Sequence, residues 1–549
     1  PFNNAGAVLA QSGAINFNGG GLMESNFTAG TGAAIYFGGG AFSYNTMPVL
    51  TGNIQFTGGT LTLLDDQIPG LQMTGGTVSL SPSFQGGTIT NLNFGGSLTG
   101  DYTVSGNLTL GNGDAGTLTV LGGATLNWNN GNVSRLVLAD GATLNWNGGT
   151  LLAGLDLTNG AVVNWSGGTA GSWMNVWPNG VLNLTSGNTK SVQNVLTNAG
   201  TVNWLGGSFI TANYNGGYAG AVENLASGLW NIQCDQSLWD NYGGGTPYFH
   251  NAGTVVKANS TGTTTISIPF NNAGAVLAQS GAINFNGGGL IESNFTTVTG
   301  ATIYFGGGAF SYSTPPTLAG SGNIQFAGGT LTLSDDQIPG LQMTGGTVSL
   351  SPSFQGGTIT NLTLNGSLLY GTNVVSGVFN CANGVSGGLT VLAGATLNWS
   401  GGTIAGGINI TNGAVMNWSG GTAASTVNIQ TNGVLNLTSG NTKSVLNVLT
   451  NAGTVNWLGG SFVTANYNGG YAGAVENLAS GLWNIQCDQS LWDNYSGGTP
   501  YFHNLGTVTK TAGTGTTTIS IPFNNAGAVL VQSGAINFNG GGLIESNFT

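Results

Sequence analysis

Apolar and polar residues alternate along most of the chain in short runs, and each run is closed by Asn-Gly, Asn-Ala-Gly or Gly-Gly. Leu155-Asp156-Leu157-Thr158-Asn159-Gly160-Ala161-Val162-Val163-Asn164-Trp165-Ser166-Gly167-Gly168-Thr169 is one such unit. A period of two bounded by tight turns predicts short β-strands. Asn and Gly recur at the turns because both tolerate positive φ, which lets a chain change direction within one or two residues. A sustained 3.6-residue period is absent, and Gly and β-branched residues are too frequent for helix to compete.

The alternation carries a longer rhythm. Ala-Thr-Leu-Asn-Trp ends at Trp128 and again at Trp146, Val-Val-Asn-Trp at Trp165, Val-Leu-Asn-Leu at Leu184 and Thr-Val-Asn-Trp at Trp204, in steps of 18, 19, 19 and 20 residues. Trp399, Trp418, Leu437 and Trp457 follow in steps of 19, 19 and 20. A meander of hairpins predicts no such register. A coil in which each unit is one turn does, because equivalent residues of successive turns then stack about 4.8 Å apart. The expected fold class is all-β, a parallel β-helix or β-solenoid with about 18–20 residues per short rung. Leu126, Leu144, Val163, Leu182 and Val202 form one inward ladder, with Trp128, Trp146, Trp165, Leu184 and Trp204 beside it. Asn127, Asn145, Asn164, Asn183 and Asn203 point the other way and form an amide ladder. Only hydrophobicity sets which face is interior; the inverted arrangement displays the Trp residues as an exposed aromatic stripe. At about 20 residues per rung the chain makes about 25 to 28 rungs, roughly 120 to 135 Å of coil.

Repetition also exists on a larger scale. Residues 1–28 recur at 269–296 with Met23 replaced by Ile291, and again at 522–549. The chain thus divides into a first long solenoid repeat, 1–268, a second, 269–521, and the start of a third, 522–549. The first is longer by one short unit around residues 98–146. Beginning at Pro1-Phe2 and stopping inside the third copy, the chain is expected to be a segment of a longer tandem array.

Composition narrows the function classes. Of 549 residues, 101 are Gly, 17 are Asp or Glu, 5 are Lys or Arg and 2 are His, for a net charge of −12. Arg135, Lys190, Lys257, Lys443 and Lys510 are too few and too scattered for a basic patch, so nucleic acid is not an expected partner. Apolar runs are broken every few positions, so no membrane-spanning helix is expected. The 13 Trp, 23 Phe and 14 Tyr supply enough apolar surface for an ordered fold rather than a flexible coil.

Phe2-Asn3-Asn4-Ala5-Gly6-Ala7-Val8, the following Ser12-Gly13-Ala14-Ile15-Asn16-Phe17-Asn18-Gly19-Gly20, and Tyr248-Phe249-His250-Asn251-Ala252-Gly253-Thr254-Val255 form a distinctive pattern. It resembles the repeats of large secreted bacterial β-solenoid surface proteins, similar to the filamentous-haemagglutinin and autotransporter-passenger class of adhesins. The resemblance covers nearly the whole chain. It implies a right-handed parallel β-helix and an extracellular or cell-surface location. The very low charge and the long super-repeat depart from that class and favour a repetitive fibre.

One stretch lacks the short period. Residues 205–250 recur at 458–503 with only Ile210 replaced by Val463 and Gly243 by Ser496. Trp230, Asp235, Trp239, Asp240 and Tyr242, with their counterparts Trp483, Asp488, Trp492, Asp493 and Tyr495, are the candidate ligand or subunit contacts; Glu223, Cys234 and His250 accompany them. Aromatic rings beside carboxylates suit stacking on sugars or gripping a neighbouring subunit. The competing reading is a wider rung whose aromatics fill their own small core.

Other chemistry is sparse. Asp65-Asp66 and Asp335-Asp336, before Ile-Pro-Gly, read as solvated turn residues, since strand neighbours point to opposite faces. Gly111-Asn112-Gly113-Asp114 hints once at a calcium nonapeptide. No nucleophile-elbow or metal-ligand spacing occurs, so neither an enzyme nor a cofactor is expected. Cys234, Cys381 and Cys487 cannot pair within the chain if equivalent rungs lie far apart, which leaves buried free thiols or an interchain bridge.

Two functional readings follow. The first is a structural protein that self-associates, or continues into neighbouring repeats, as a fibre, sheath or stalk. The second is an adhesin holding a glycan or cell-surface ligand through 205–250 and 458–503. A flat Thr-rich face binding ice is a third, weakened because paired Thr-x-Thr is not sustained.

Overall fold

The computed structural model of the chain describes residues 1–64, 67–212, 220–241, 245–334, 337–465, 473–494 and 498–549, without the side chains of 85–86 and 355–356. Among these residues the regular structure is β-strand apart from two single 3₁₀ turns, Phe84–Gly87 and Phe354–Gly357. The chain packs as two compact units, one of residues 1–303 with 319–322, the other of 304–318 with 323–549.

In the first unit the chain coils through three faces, and each strand pairs in parallel with its equivalent one turn away. The first face runs through Thr125–Trp128, Thr143–Trp146, Val162–Trp165, Val181–Leu184, Thr201–Trp204, Leu229–Ile232 and Thr254–Lys257. The second carries Gly168–Ala170, Lys190–Val192, Phe209–Thr211, Ser237–Asp240 and Thr263–Ile266. The third carries Met174–Val176, Val195–Asn198, Ala221–Asn224, Phe249–Asn251 and Phe270–Asn272. This is the β-solenoid that the 18–20-residue step predicts. The second unit repeats it, with Thr396–Trp399, Val415–Trp418, Val434–Leu437, Thr454–Trp457 and Leu482–Ile485 on its first face.

The ladders have the predicted sense. Leu126, Leu144, Val163, Leu182, Val202 and the Trp column beside them are fully buried. Trp128, Trp146 and Trp165 stack with ring centroids 4.9 and 4.5 Å apart and planes within 9° of parallel. Burying each indole removes on the order of 200 Å² from water, worth about 5 kcal/mol before chain entropy is set against it. Each indole N–H also needs an acceptor, and the turn after the strand supplies one. Trp128 donates to the Asn130 carbonyl at 3.0 Å, Trp146 to Gly148 at 2.9 Å and Trp165 to Gly167 at 2.9 Å.

That turn explains the Gly-Gly after Trp146 and Trp165. Gly149 and Gly168 hold φ of +87° and +107°, which β-carbon-bearing residues rarely adopt. A Cβ on Gly149 would lie 2.1 Å from the Gly131 carbonyl oxygen and 3.0 Å from the Trp128 ring. The indole of one rung and the glycine of the next are therefore one packing unit.

On the outer side, Asn145 donates to Asn127 at 2.8 Å, Asn164 to Asn145 at 2.9 Å, Asn183 to Asn164 at 2.9 Å and Asn203 to Asn183 at 2.9 Å. Asn398, Asn417, Asn436 and Asn456 repeat this amide ladder in the second unit, each donating one turn back at 2.8 to 2.9 Å.

A second amide column, which the sequence pattern did not announce, lies inside. Asn198 donates to Asn224 at 2.7 Å, Asn224 to Asn251 at 2.7 Å and Asn251 to Asn272 at 2.8 Å, and all four are buried. The second unit repeats it through Asn451, Asn477, Asn504 and Asn525. These are the Asn residues of Asn-Ala-Gly, Asn-Leu-Gly and Asn-Leu-Ala-Ser-Gly. They sit at strand ends, where the chain turns; each amide accepts from one neighbour, donates to the next and, with its two N–H groups, also serves a backbone carbonyl, those of Leu229, Thr254 and Ala275 for Asn198, Asn224 and Asn251.

Candidate functional site

The 205–250 stretch keeps the three-sided path but lengthens it. Asn203 and Asn231 are register partners on the first face 28 residues apart, against 18 to 20 in the regular rungs. Strand alternation still decides which side chains face inward. Trp230 pairs with Val202 and Trp483 with Val455, so both indoles enter the apolar column and are fully buried. There Trp230 packs on Phe209 and Phe249, with centroids 5.9 and 5.1 Å away. Trp230 and Trp483 are thus core residues rather than the ligand or subunit contacts expected from sequence. Their indole nitrogens have no hydrogen-bond partner among the described residues; both rings stand at the Val202 and Val455 register, two residues before the column whose turn carbonyls receive the indoles of Trp128, Trp146 and Trp165.

Asp235 is engaged inward. Its Oδ1 accepts from Lys257 Nζ at 2.8 Å, and its Oδ2 accepts from the Gly262 amide at 3.1 Å. Lys257 occupies the inner column below Trp204 and Ile232 and is wholly buried. It also donates to the Cys234 carbonyl at 3.0 Å, Ser260 Oγ at 2.8 Å and Thr264 Oγ1 at 2.9 Å. Burial alone would raise the Asp235 carboxyl, but the hydrogen bonds and charge of Lys257, with Ser260 and Gly262, hold it below its ordinary value. Lys510 and Asp488 repeat the pair at 2.7 Å, and hydrogen bonds from Lys510 and the Gly515 amide lower Asp488 in the same direction. These carboxylates clamp the turn that follows Cys234 and Cys487.

Lys190 and Lys443 are buried differently, each in a cage of three backbone carbonyls. Lys190 Nζ donates to Ser186 at 3.2 Å, Asn188 at 2.9 Å and Gly206 at 3.0 Å. Among the described residues no carboxylate pairs with it, and burial pushes both lysines down to about 8. Four of the five cations are therefore interior parts of the coil. Cys234, Cys381 and Cys487 are buried free thiols, and burial raises all three, Cys381 to about 11.

Of the remaining candidates, Trp239 and Trp492 point outward from the second face with 38% of their surface exposed. Asp240 and Asp493 end the same strands, half-buried. Tyr242, Tyr495, Asp65, Asp66, Asp335 and Asp336 lie outside the described residues. Asp114, in the calcium-like tetrapeptide, accepts from the Asn132 amide at 2.9 Å and so serves the ladder.

The structure assembles one polar cluster that no single motif revealed. On the third face Glu223 and His250 are register partners, and Glu223 Oε2 lies 3.0 Å from His250 Nδ1. Burial and a hydrogen bond to Glu223 raise the neighbouring Tyr248 hydroxyl. Glu476, Tyr501 and His503 reproduce the cluster, with the Glu and His 3.1 Å apart, beside a depression of about 380 Å³ that Asn524 and Glu545 also line. The available signal was a spacing of 27 residues, legible only once the long rung is known. Such a group can hydrogen-bond a ligand or pass a proton. Among the described residues no three His, Cys, Asp or Glu side chains converge as a metal site.

No protein-family model matches the chain, and no curated protein matches it in sequence.

Proposed function

We propose that the chain is a structural β-solenoid segment of an extracellular or cell-surface fibre, sheath or stalk. The observation that carries the reading is the direction of its side-chain bonds. Beyond the backbone ladders, inner amides, outer amides and stacked indoles all link each rung to the next along the coil axis. Bonds repeated along one axis give stiffness in that direction, which a load-bearing element needs and a single binding pocket does not. With only 17 Asp or Glu and four of its five cations buried, the chain presents an outer surface mainly of amides and hydroxyls with sparse carboxylates, so repulsion between neighbouring coils is weak. The resemblance to secreted surface proteins supports the location.

The adhesin reading now rests on fewer residues. Trp230, Trp483, Asp235 and Asp488 are committed to the coil, so a ligand at these stretches would meet Trp239, Trp492 and the Glu-His pairs. Fibre diffraction from concentrated, aligned chain tests the structural proposal. A sharp axial reflection near 4.8 Å with lateral packing orders is expected. Chains that stay dispersed at high concentration and give no oriented pattern would refute it.

A further inference from the structure

The two long repeats part company at one stretch of the third face, where the first carries a charged aromatic set and the second carries Asn409, Thr426, Asn428 and Gln430. In the first unit, Trp173 and Trp177 flank the strand Met174–Val176 and share its outward parity with Asn175. Trp173 lies flat over Gly154; a Cβ there would sit 2.4 to 2.8 Å from three atoms of the indole, so only glycine lets the ring rest on the sheet. The Arg135 guanidinium is 5.7 Å from that ring's centroid. Trp177, half exposed, is anchored by its edge, with Nε1 donating to Asp156 Oδ1 at 3.2 Å. Asp156 also accepts from Asn175 at 3.1 Å and, through Oδ2, from Arg135 at 3.1 Å.

The corresponding second-repeat positions hold Asn409 for Asp156, Thr426 for Trp173 and Gln430 for Trp177, and the short unit bearing Arg135 is missing. The backbone register is the same, with Asn428 donating to Asn409 at 3.1 Å and the Thr426 hydroxyl standing over Gly407. The coil therefore does not need the aromatic set. Arg135, Asp156, Trp173 and Trp177 occur together or not at all, as parts of one site would, while Asn175 is kept as Asn428.

We propose that Arg135, Asp156, Trp173, Asn175 and Trp177 form a binding face for a neutral oligosaccharide. One indole is fixed by the sheet beneath it and the other by its N–H, so both are ordered before a ligand arrives and little side-chain entropy is lost on binding. Flat rings receive the apolar C–H faces of pyranoses, while the guanidinium, carboxylate and amide between them meet hydroxyls. Arg135 is neutralised by Asp156 in a chain of net charge −12, which selects a neutral sugar over an acidic one. Four residue steps of extended chain separate the two Trp positions, roughly 13 Å, which suits several linked sugars rather than one. The site lies outside 205–250 and is independent of the structural role.

The test is titration of the whole chain with cellohexaose, xylohexaose, mannohexaose and chitohexaose, with polygalacturonate as an acidic contrast, read by calorimetry and Trp emission. At least one neutral hexasaccharide is expected to bind and perturb emission. Trp173→Thr with Trp177→Gln, the residues that the second repeat carries at this register without losing its fold, should weaken that binding at least tenfold. No response to any of the four, binding unchanged in the double variant, or binding of polygalacturonate alone would each overturn the proposal. So would a double variant that changes only sedimentation, which would make this face a contact between copies of the chain.

Discussion

Between Trp128 and Trp165 the first unit is filled by parallel indoles 4.5 to 4.9 Å apart, whereas the same inner column further on reads Trp204, Ile232, Lys257. Both regions follow one coil path. In the first, apolar side chains need nothing but contact, and the rung keeps a step of 18 to 20 residues. In the second, a buried ammonium needs several acceptors, and they come from two successive turns: Cys234 and Asp235 on one, Ser260 and Thr264 on the next. A solenoid can thus change its filling without changing its path, as long as each new polar group finds partners on adjacent rungs.

Perturbing each filling in turn would sharpen that contrast. Trp146→Ala removes an indole stacked on both sides and should cost about 3–5 kcal/mol. Because rungs couple to nearest neighbours, hydrogen exchange should speed up around Trp128 and Trp165 and not around Asn251; uniform acceleration would show the whole unit opening as one. Asp235→Leu leaves Lys257 buried without its anion and should cost roughly 3 kcal/mol, seen as a lower melting temperature and faster exchange from Cys234 to Thr264. An unchanged melt would mean the carbonyl and hydroxyls suffice. Asn224→Ala strips Asn198 and Asn251 of their shared partner and should cost about 2 kcal/mol. Exchange at the amides of residues 198–200 and 251–253 should report it, and a neutral outcome would identify water as an adequate substitute.

The last effect expected is the pH dependence. Lys190 and Lys443 titrate near 8 when folded against an ordinary value of 10.5. Between those values the unfolded chain binds more protons, so their contribution to stability grows as pH rises from about 8 to about 10.5. Cys381, raised from 9.0 to about 11, acts oppositely, since the folded thiol keeps its proton longer and stability is lost as pH climbs through that window. Cys381→Leu, which installs the residue found at the matching position of the first repeat, Leu110, should turn the melting temperature upward between pH 9 and 10.5 relative to the parent chain. Lys190→Met with Lys443→Met should turn it downward relative to the parent chain between pH 8 and 10.5. Parallel pH profiles for all three chains would contradict both assignments.

The regular rungs were legible because each residue's role there is local. Alternation sets inward and outward positions, Trp and Leu take the inside, Asn the outside, and Gly-Gly marks a turn whose shape the preceding Trp requires. The candidate site was legible only in part. Trp239 and Trp492 face solvent as a ligand contact must, but Trp230 is drawn inward by strand parity across a long rung, and Asp235 is claimed by a lysine 22 residues on. Neither partnership leaves a short-range trace. The inner Asn column was hidden for another reason: asparagine before glycine reads as a turn residue wherever it occurs, and only stacking shows that the same side chain also faces its equivalents above and below.

By itself, then, the amino-acid sequence determined the β-class, the coil and its step, because these follow from a period of two and a repeating turn, each encoded within about twenty residues. The tertiary structure decided what the interior would tolerate and which side chains would meet. Four lysines became core residues, Glu223 met His250, and Arg135, Asp156, Trp173 and Trp177 came together on one face. The physical reason is that neighbours across rungs are fixed by the exact length of the intervening turn, and one residue more or less moves a side chain from core to solvent.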